Sequence, residues 1–170
     1  MSHSDREIPA AILLFGVAGV GKTYLAAILA ERLGVHHYEL DNDLTDEMRA
    51  AISAGREFTD PIRDRFFVVA GARMQQVLAQ HPRTIFTQGV YKERHREYLR
   101  RLIPGLECIW VDAPPELIAS RLMLRGRDIS SEYARLIHRN FESPTQSRIL
   151  INDTTEPEQL VARFRALFST

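Results

Sequence analysis

Five short apolar runs punctuate the chain, at Ala11–Val17, His37–Leu40, Thr84–Thr87, Glu107–Asp112 and Arg148–Asn152. The first and fourth are apolar almost throughout, as strands covered on both faces should be. Between the runs the spacing predicts helices. Lys22–Leu33 puts Leu25, Ile28, Leu29 and Leu33 on one stripe, and Gly34 stops it. Thr45–Ala54 is short and ends at Gly55. Arg63–Gln80 carries Phe66, Phe67, Val69, Ala70, Met74, Val77 and Leu78 and breaks at His81-Pro82. Glu93–Ile103 runs into Pro104-Gly105, Pro114–Arg125 opens on prolines, and Ser131–Phe141 follows. The last helix, running through Leu160, Val161, Phe164, Leu167 and Phe168, is predicted to open on a capping box, Thr155-x-x-Glu158, with Pro157 in its first turn. Strands alternating with helices imply an α/β fold, a parallel sheet joined by right-handed crossovers with helices on both faces. No repeat, low-complexity tract or long linker divides the pattern, so residues 1–170 are expected to form a single domain. Asp43–Asp60 and Arg125–Ser131 are the insertions expected to move.

Composition narrows the picture by exclusion. Lys plus Arg is 22 and Asp plus Glu is 22, so the formal net charge is zero. Without a basic excess there is no sequence-independent grip on nucleic acid or anionic lipid, so neither is expected as a partner. The single Cys108 excludes an internal disulfide and a cysteine-based zinc site. It suits a reducing compartment, and the expected location is cytoplasmic. Met1 to Pro9 is polar and charged, and Ala10–Phe15 is too short to span a bilayer. Asn152-Asp153-Thr154 fits the glycosylation pattern by chance on this reading. The histidines show no metal spacing, and Trp110, Phe66, Phe67 and Cys108 read as core.

One segment carries specific chemistry. Gly16-Val17-Ala18-Gly19-Val20-Gly21-Lys22-Thr23 fits G-x-x-x-x-G-K-[ST], directly after an apolar strand and before an amphipathic helix. Glycines there let the backbone wrap phosphates, and successive N–H groups at a helix N-terminus face the anion. Lys22 bridges the terminal phosphates and the Thr23 hydroxyl ligates Mg²⁺; the nucleotide contacts are expected to run from Gly16 to Tyr24. The expected cofactors are therefore ATP and Mg²⁺. A GTPase would need an N-K-x-D motif, which is absent. A motor or AAA-type ATPase would need an apolar strand ending in Asp-Glu, and here Asp112 is followed by Ala113. What remains is the small phosphotransferase class, whose carboxylate follows the second strand. Asp41-x-Asp43 stands there, at the end of a strand where open α/β sheets bind ligands. One Asp can orient metal-bound water while the other accepts the proton of an attacking hydroxyl. The plainer alternative is a solvated acidic turn.

The chain resembles the gluconate kinase and shikimate kinase group of small P-loop kinases from about Ile12 to Leu167. Gluconate kinases carry a segment like G-x-P-L-x-D-x-D-R after the Asp pair. Gly55-Arg-Glu-Phe-Thr-Asp60-Pro-Ile-Arg63 looks similar, which carries over Asp60 and Arg63. They also carry S-A-L-K-x-x-Y-R-D-x-L-R, and the segment from Gly89 matches it at Lys92, Arg96 and Arg100. Trp110 to Leu122 resembles their fourth strand and the helix that leads to the lid. The resemblance implies a three-layer sandwich with a five-stranded parallel sheet, strand order 2-3-1-4-5. It also implies a mobile lid over about 125–140 and an acceptor-binding insertion over about 43–65. Gluconate kinases have a His-Pro after the Asp pair where this chain has Leu44-Thr45-Asp46, and their lid reads R-x-x-H-F against Arg125-Gly-Arg127-Asp-Ile here. Shikimate kinases have three glycines after the third strand, where this chain has Gly89, but their lid-side arginine has a counterpart in Arg139.

Phosphoryl transfer needs cations around the equatorial oxygens. Arg121 and Arg125 share a helix face leading into the lid, Arg127 lies in it, and Arg135 and Arg139 share a face beyond it. Arg121 is expected at the nucleotide and Arg127 at the reacting phosphate. The acceptor would sit among Asp41, Asp43, Asp60, Arg63, Gly89, Lys92 and Arg139, with Thr23 and Asp41 holding the metal. Arg63 and Lys92 come from different elements and could meet Asp43, which suits a small hydroxylated anion such as a sugar acid. The expectation is thus an ATP-dependent kinase, gluconokinase-like or shikimate kinase-like, with a homodimer left open. Alternatives are a kinase of a nucleoside, antibiotic or nucleic-acid 5′-hydroxyl, and a nucleotide-binding regulator that transfers nothing.

Overall fold

The computed structural model describes residues 8–125 and 139–169. Five strands, β1 (Ala11–Phe15), β2 (His36–Glu39), β3 (Thr84–Gln88), β4 (Glu107–Asp112) and β5 (Arg148–Ile151), form one sheet in the order β2-β3-β1-β4-β5. All four pairings are parallel. This is the order that the resemblance implied. The helices are α1 (Lys22–Leu33), α2 (Asp46–Ser53), α3 (Asp60–Gln80), α4 (Glu93–Leu102), α5 (Pro115–Leu124) and α6 (Pro157–Ala166).

Alternation along each strand divides the core into two layers. Leu13, Phe15, Phe86 and Cys108 pack with Phe66, Phe67 and Met74 of α3 and Leu99 of α4. Ile12, Leu14, Ile85, Ile109 and Leu150 face the other way, onto Leu25 and Leu29 of α1 and Leu160 and Phe164 of α6. A sheet buried on both faces explains why β1 is apolar at every position. The chain leaves β1 for the β2 edge and returns to β4 on the opposite side. The carboxyl end of β1 is therefore the switch point where such sheets open a crevice.

Three local expectations need correcting. Helix α3 starts at Asp60, three residues before Arg63, because Thr59 takes the extended N-cap position and Pro61 fits the first turn. β2 spans His36–Glu39, and Leu40–Asp43 forms a single 3₁₀ turn that carries both candidate carboxylates. The Thr155–Glu158 capping box does not form. Pro157 takes the first helical position, which makes Glu156 the N-cap and leaves Thr155 one residue out of register. Thr154 Oγ1 instead accepts from the Glu156 N–H at 3.1 Å. The helix expected over Ser131–Phe141 lies mostly outside the described residues, which include only its helical end at 139–140. Among the described residues, no helix is long and apolar enough to cross a membrane.

Candidate active site

The loop after β1 has the geometry of an anion cradle. Gly21 is the N-cap of α1 at φ 86°, a left-handed conformation, and a Cβ there would strike Asn152 Nδ2. At Gly16 a Cβ would strike the carbonyl oxygen of Val111. Both positions require glycine for local reasons, which is the physical content of the motif. Lys22 Nζ donates to the carbonyls of Gly16 (2.9 Å) and Val17 (3.0 Å), folding over its own loop. Burial pushes the Lys22 ammonium down to about 8, Asp41 opposes this and Arg125 adds to it. Thr23 and Tyr24 are exposed on the first turn of α1.

The two carboxylates of the 3₁₀ turn are treated differently. Asp41 is exposed, and its negative charge acts on Lys22 across the crevice. Asp43 is held on the α3 side: Tyr38 Oη donates to Oδ2 at 2.9 Å and Arg73 Nε donates to Oδ1 at 2.8 Å. The Asp43 side chain is only 8% exposed, so these bonds set its orientation. Burial and the bond to Asp43 raise the Tyr38 phenol above its ordinary value. Arg63 and Lys92, expected to meet Asp43, pair elsewhere, and Asp43 pairs with Arg73. Arg63 lies 3.7 Å from Asp60, and Lys92 lies 3.4 Å from Glu142. Both are loose ion pairs of half-buried cations, one at the start of α3 and one just before α4. Gly89 lies beside the P-loop, since a Cβ there would be 3.7 Å from the Gly16 carbonyl oxygen.

Arg96, matched to the family segment, is not at the surface. It is fully buried, donating to Glu93 Oε2 (2.8 Å) and to the carbonyls of Val90 (2.8 Å) and Glu142 (2.6 Å). Its guanidinium also lies 4.9 Å from the Phe15 ring centroid. It ties the segment after β3 to residues 141–142 and holds Lys92 beside Glu142. Arg100 joins Glu93 at 3.0 Å.

Behind the P-loop, Arg121 and Asn152 share one acceptor. The Val20 carbonyl accepts from Asn152 Nδ2 at 2.8 Å and from Arg121 Nη1 at 3.2 Å, while Arg121 Nη2 donates to the Asn152 carbonyl at 3.0 Å. Arg121 is thus at the nucleotide loop, braced on backbone. Burial and the nearby Arg125 lower its basicity. Asn152 is 1% exposed and committed to Val20, so its glycosylation pattern is without consequence in the folded chain. Arg139 is exposed, and Arg127 and Arg135 lie outside the described residues. Asp112 turns its carboxylate back onto the Ala113 N–H at 2.9 Å. The described residues include no group of three or more His, Cys, Asp or Glu side chains able to cage a metal.

Tyr38 and Arg73 bond Asp43, Asn152 bonds Val20 of the loop, and Gln88 closes β3 with its Oε1 accepting from the Gly89 N–H; none of the four was assigned to the site from sequence. A polar residue closing an apolar strand at its carboxyl end was the available signal for Gln88 and Asn152. Nothing in the sequence distinguishes Arg73 from other arginines on an exposed helix face.

The chain is similar to known proteins in both sequence and fold. A gluconokinase of Gluconobacter oxydans is 31% identical over 118 residues, covering 69% of this chain and 66% of that protein. A shikimate kinase of Nostoc punctiforme is 27% identical over 163 residues, 89% of this chain and 87% of that protein. The crystal structure of a gluconokinase from Sinorhizobium meliloti superposes with a TM-score of 0.79 at 24% identity, covering 96% of this chain and 93% of that one, a likeness of fold. The family model described as "AAA domain" matches residues 12–144. The missing Glu after Asp112 stands as a property of this chain's own site. With the phosphate loop, the strand order and the matched span in agreement, the chain belongs to this AAA-domain family of P-loop proteins and resembles its small-molecule kinase relatives.

Proposed function

We propose that the chain is an ATP-dependent small-molecule kinase that transfers the γ-phosphoryl group to a hydroxyl of a sugar acid like gluconate. The observation that carries this reading is Lys22 folded onto the Gly16 and Val17 carbonyls, opposite a turn bearing two carboxylates. Phosphates entering the loop would take over Lys22 and meet the open amides of α1. Thr23 and Asp41 would hold Mg²⁺, which binds through one or two protein oxygens plus phosphates and water, so a dedicated cage is not required. The ion would neutralise charge on the transferring phosphates.

Asp43 orients or deprotonates the acceptor hydroxyl in this reading. Each of its oxygens keeps a second lone pair after bonding Tyr38 and Arg73, so it can accept a hydroxyl proton where it stands. Arg63 and Lys92, loosely paired at 3.7 and 3.4 Å, would exchange their present partners for an anionic acceptor. Arg127 is assigned to the γ-phosphate and Arg139 to the acceptor. The similarity to a gluconokinase and to a shikimate kinase supports a small hydroxylated acid as acceptor.

The test is ADP release from ATP and Mg²⁺ over gluconate, shikimate, ribose, adenosine and a 5′-hydroxyl oligonucleotide, with a no-acceptor control. Turnover with an acidic polyol is the expected result. A neutral best acceptor would overturn the sugar-acid assignment, and ATP binding without turnover on any acceptor would overturn the kinase.

A further inference from the structure

β3 ends on a side chain that the protein leaves unsatisfied. Gln88 is 8% exposed, and its Oε1 accepts from the Gly89 N–H at 2.7 Å. That bond settles which end of the amide is which, because an NH₂ group cannot accept from an N–H. Gln88 Nε2 is hidden from solvent and has no hydrogen-bond partner. Buried amides without partners are rare in native proteins, and the exceptions call for an explanation at the site where they stand.

The location supplies one. Gln88 pairs in register with Phe15, the residue immediately before the phosphate loop. By the alternation of the strand it shares a face with Phe86, which lies in the core layer with α3 and α4. Tyr38, which holds Asp43, packs edge-on against Phe86 with centroids 6.3 Å apart, so Asp43 is reached from the same layer. Arg63 lies in the first turn of α3 and Lys92 precedes α4, the two helices of that layer. Gln88 thus ends its strand level with the start of the phosphate loop, on the sheet face that α3 and α4 cover and from which the groups assigned to the acceptor come.

We infer that Gln88 is a specificity-determining residue whose Nε2 donates a hydrogen bond to an alcohol or carboxylate oxygen of the acceptor. The inference rests on the kinase reading above and adds a residue to it. Nε2 is shielded from solvent, so an acceptor oxygen reaching it would supply the partner it lacks. A neutral amide adds no charge to a site already holding two cations. It selects for an oxygen at one position, and a site built to donate there discriminates strongly against an analogue that lacks it.

The experiment compares wild type with Gln88→Glu and Gln88→Met, using the best acceptor of the panel, gluconate first. Gln88→Glu keeps an oxygen for the Gly89 N–H and removes the NH₂ donor. At pH 8 it is expected to raise the acceptor KM at least about tenfold, with ATP KM and Tm close to wild type. As pH falls and the introduced carboxyl takes up a proton, it regains an O–H donor and the acceptor KM recovers toward wild type. Gln88→Met loses affinity at every pH. Both variants at wild-type acceptor KM, or losses in acceptor KM, ATP KM and Tm that move together without pH recovery, would overturn the inference while leaving the kinase standing. No turnover of any acceptor by wild type would remove the kinase reading, and this inference with it.

Discussion

Nucleotide binding should draw a proton from solvent at mildly alkaline pH, and Lys22 should be its destination. In the free chain, burial sets the Lys22 ammonium at about 8, with Arg125 lowering it further and Asp41 holding it up. A lysine against two or three phosphates returns to its ordinary range near 10 or above. At pH 7 about nine-tenths of free Lys22 carries its proton, at pH 8 about half, at pH 9 about one-tenth. Binding should therefore take up roughly 0.1, 0.5 and 0.9 proton at these three values, and affinity should fall about fivefold between pH 8 and 9. The sign for stability follows from the same depression. Between pH 8 and the ordinary lysine value the unfolded chain binds more protons than the folded one, so the free protein should gain stability as pH rises through that window. Calorimetric titration with ADP and Mg²⁺ in two buffers of different ionisation enthalpy reads the uptake directly, since the nucleotide is fully ionised at these pH values. An uptake near zero at pH 9, or an undiminished uptake in Lys22→Met, would refute the reasoning.

Arg96→Met should cost about 3–5 kcal/mol of stability in urea unfolding, because it leaves buried acceptors and Glu93 short of a cation, while ATP KM changes little; a loss well below that would mean the arginine is not the tie it looks to be. Gly21→Ala should abolish nucleotide binding, since the left-handed φ of 86° and the Asn152 amide both oppose a Cβ; an unchanged ATP KM would show that the loop rearranges. Asp43→Asn should lower kcat by roughly 10²–10⁴ with ATP KM retained, as for the loss of a general base. Should Asp41→Asn carry that loss and Asp43→Asn turn over normally, the two roles are reversed.

What was legible in the sequence is what is local in it. β1 could be read because burial on both faces demands an unbroken apolar run, and it is buried at all five positions. The phosphate loop could be read because its demands fall on consecutive residues: a left-handed N-cap at Gly21, a close approach at Gly16, a lysine long enough to fold back. Short local signals misled where two of them compete. Thr155-x-x-Glu158 has capping-box spacing, yet the adjacent Pro157 claims the first helical position and shifts the frame by one residue. The 3₁₀ turn over Leu40–Asp43 was invisible because four residues carry no periodicity.

The acceptor end resisted for a different reason. Its groups are joined across the chain, Asp43 to Arg73 over 30 residues, and no pattern within a window of helical or strand length encodes such partners. A phosphate is the same anion in every relative, so one loop suffices to hold it. In the proposed reading an acceptor would be recognised by positions of oxygen and charge drawn from β2, β3, α3 and the start of α4, each free to vary alone. Family resemblance therefore identifies the loop residue by residue and the acceptor only by class. The pairing of Asp43 with Arg73, rather than with Arg63 or Lys92, leaves those two cations in weak pairs at 3.7 and 3.4 Å, from which an entering anion can take them at small cost. On the proposed function, a carboxylate already locked in place by Tyr38 and Arg73, with two loosely held cations at the start of α3 and just before α4, would suit a negatively charged acceptor whose hydroxyl must be aligned.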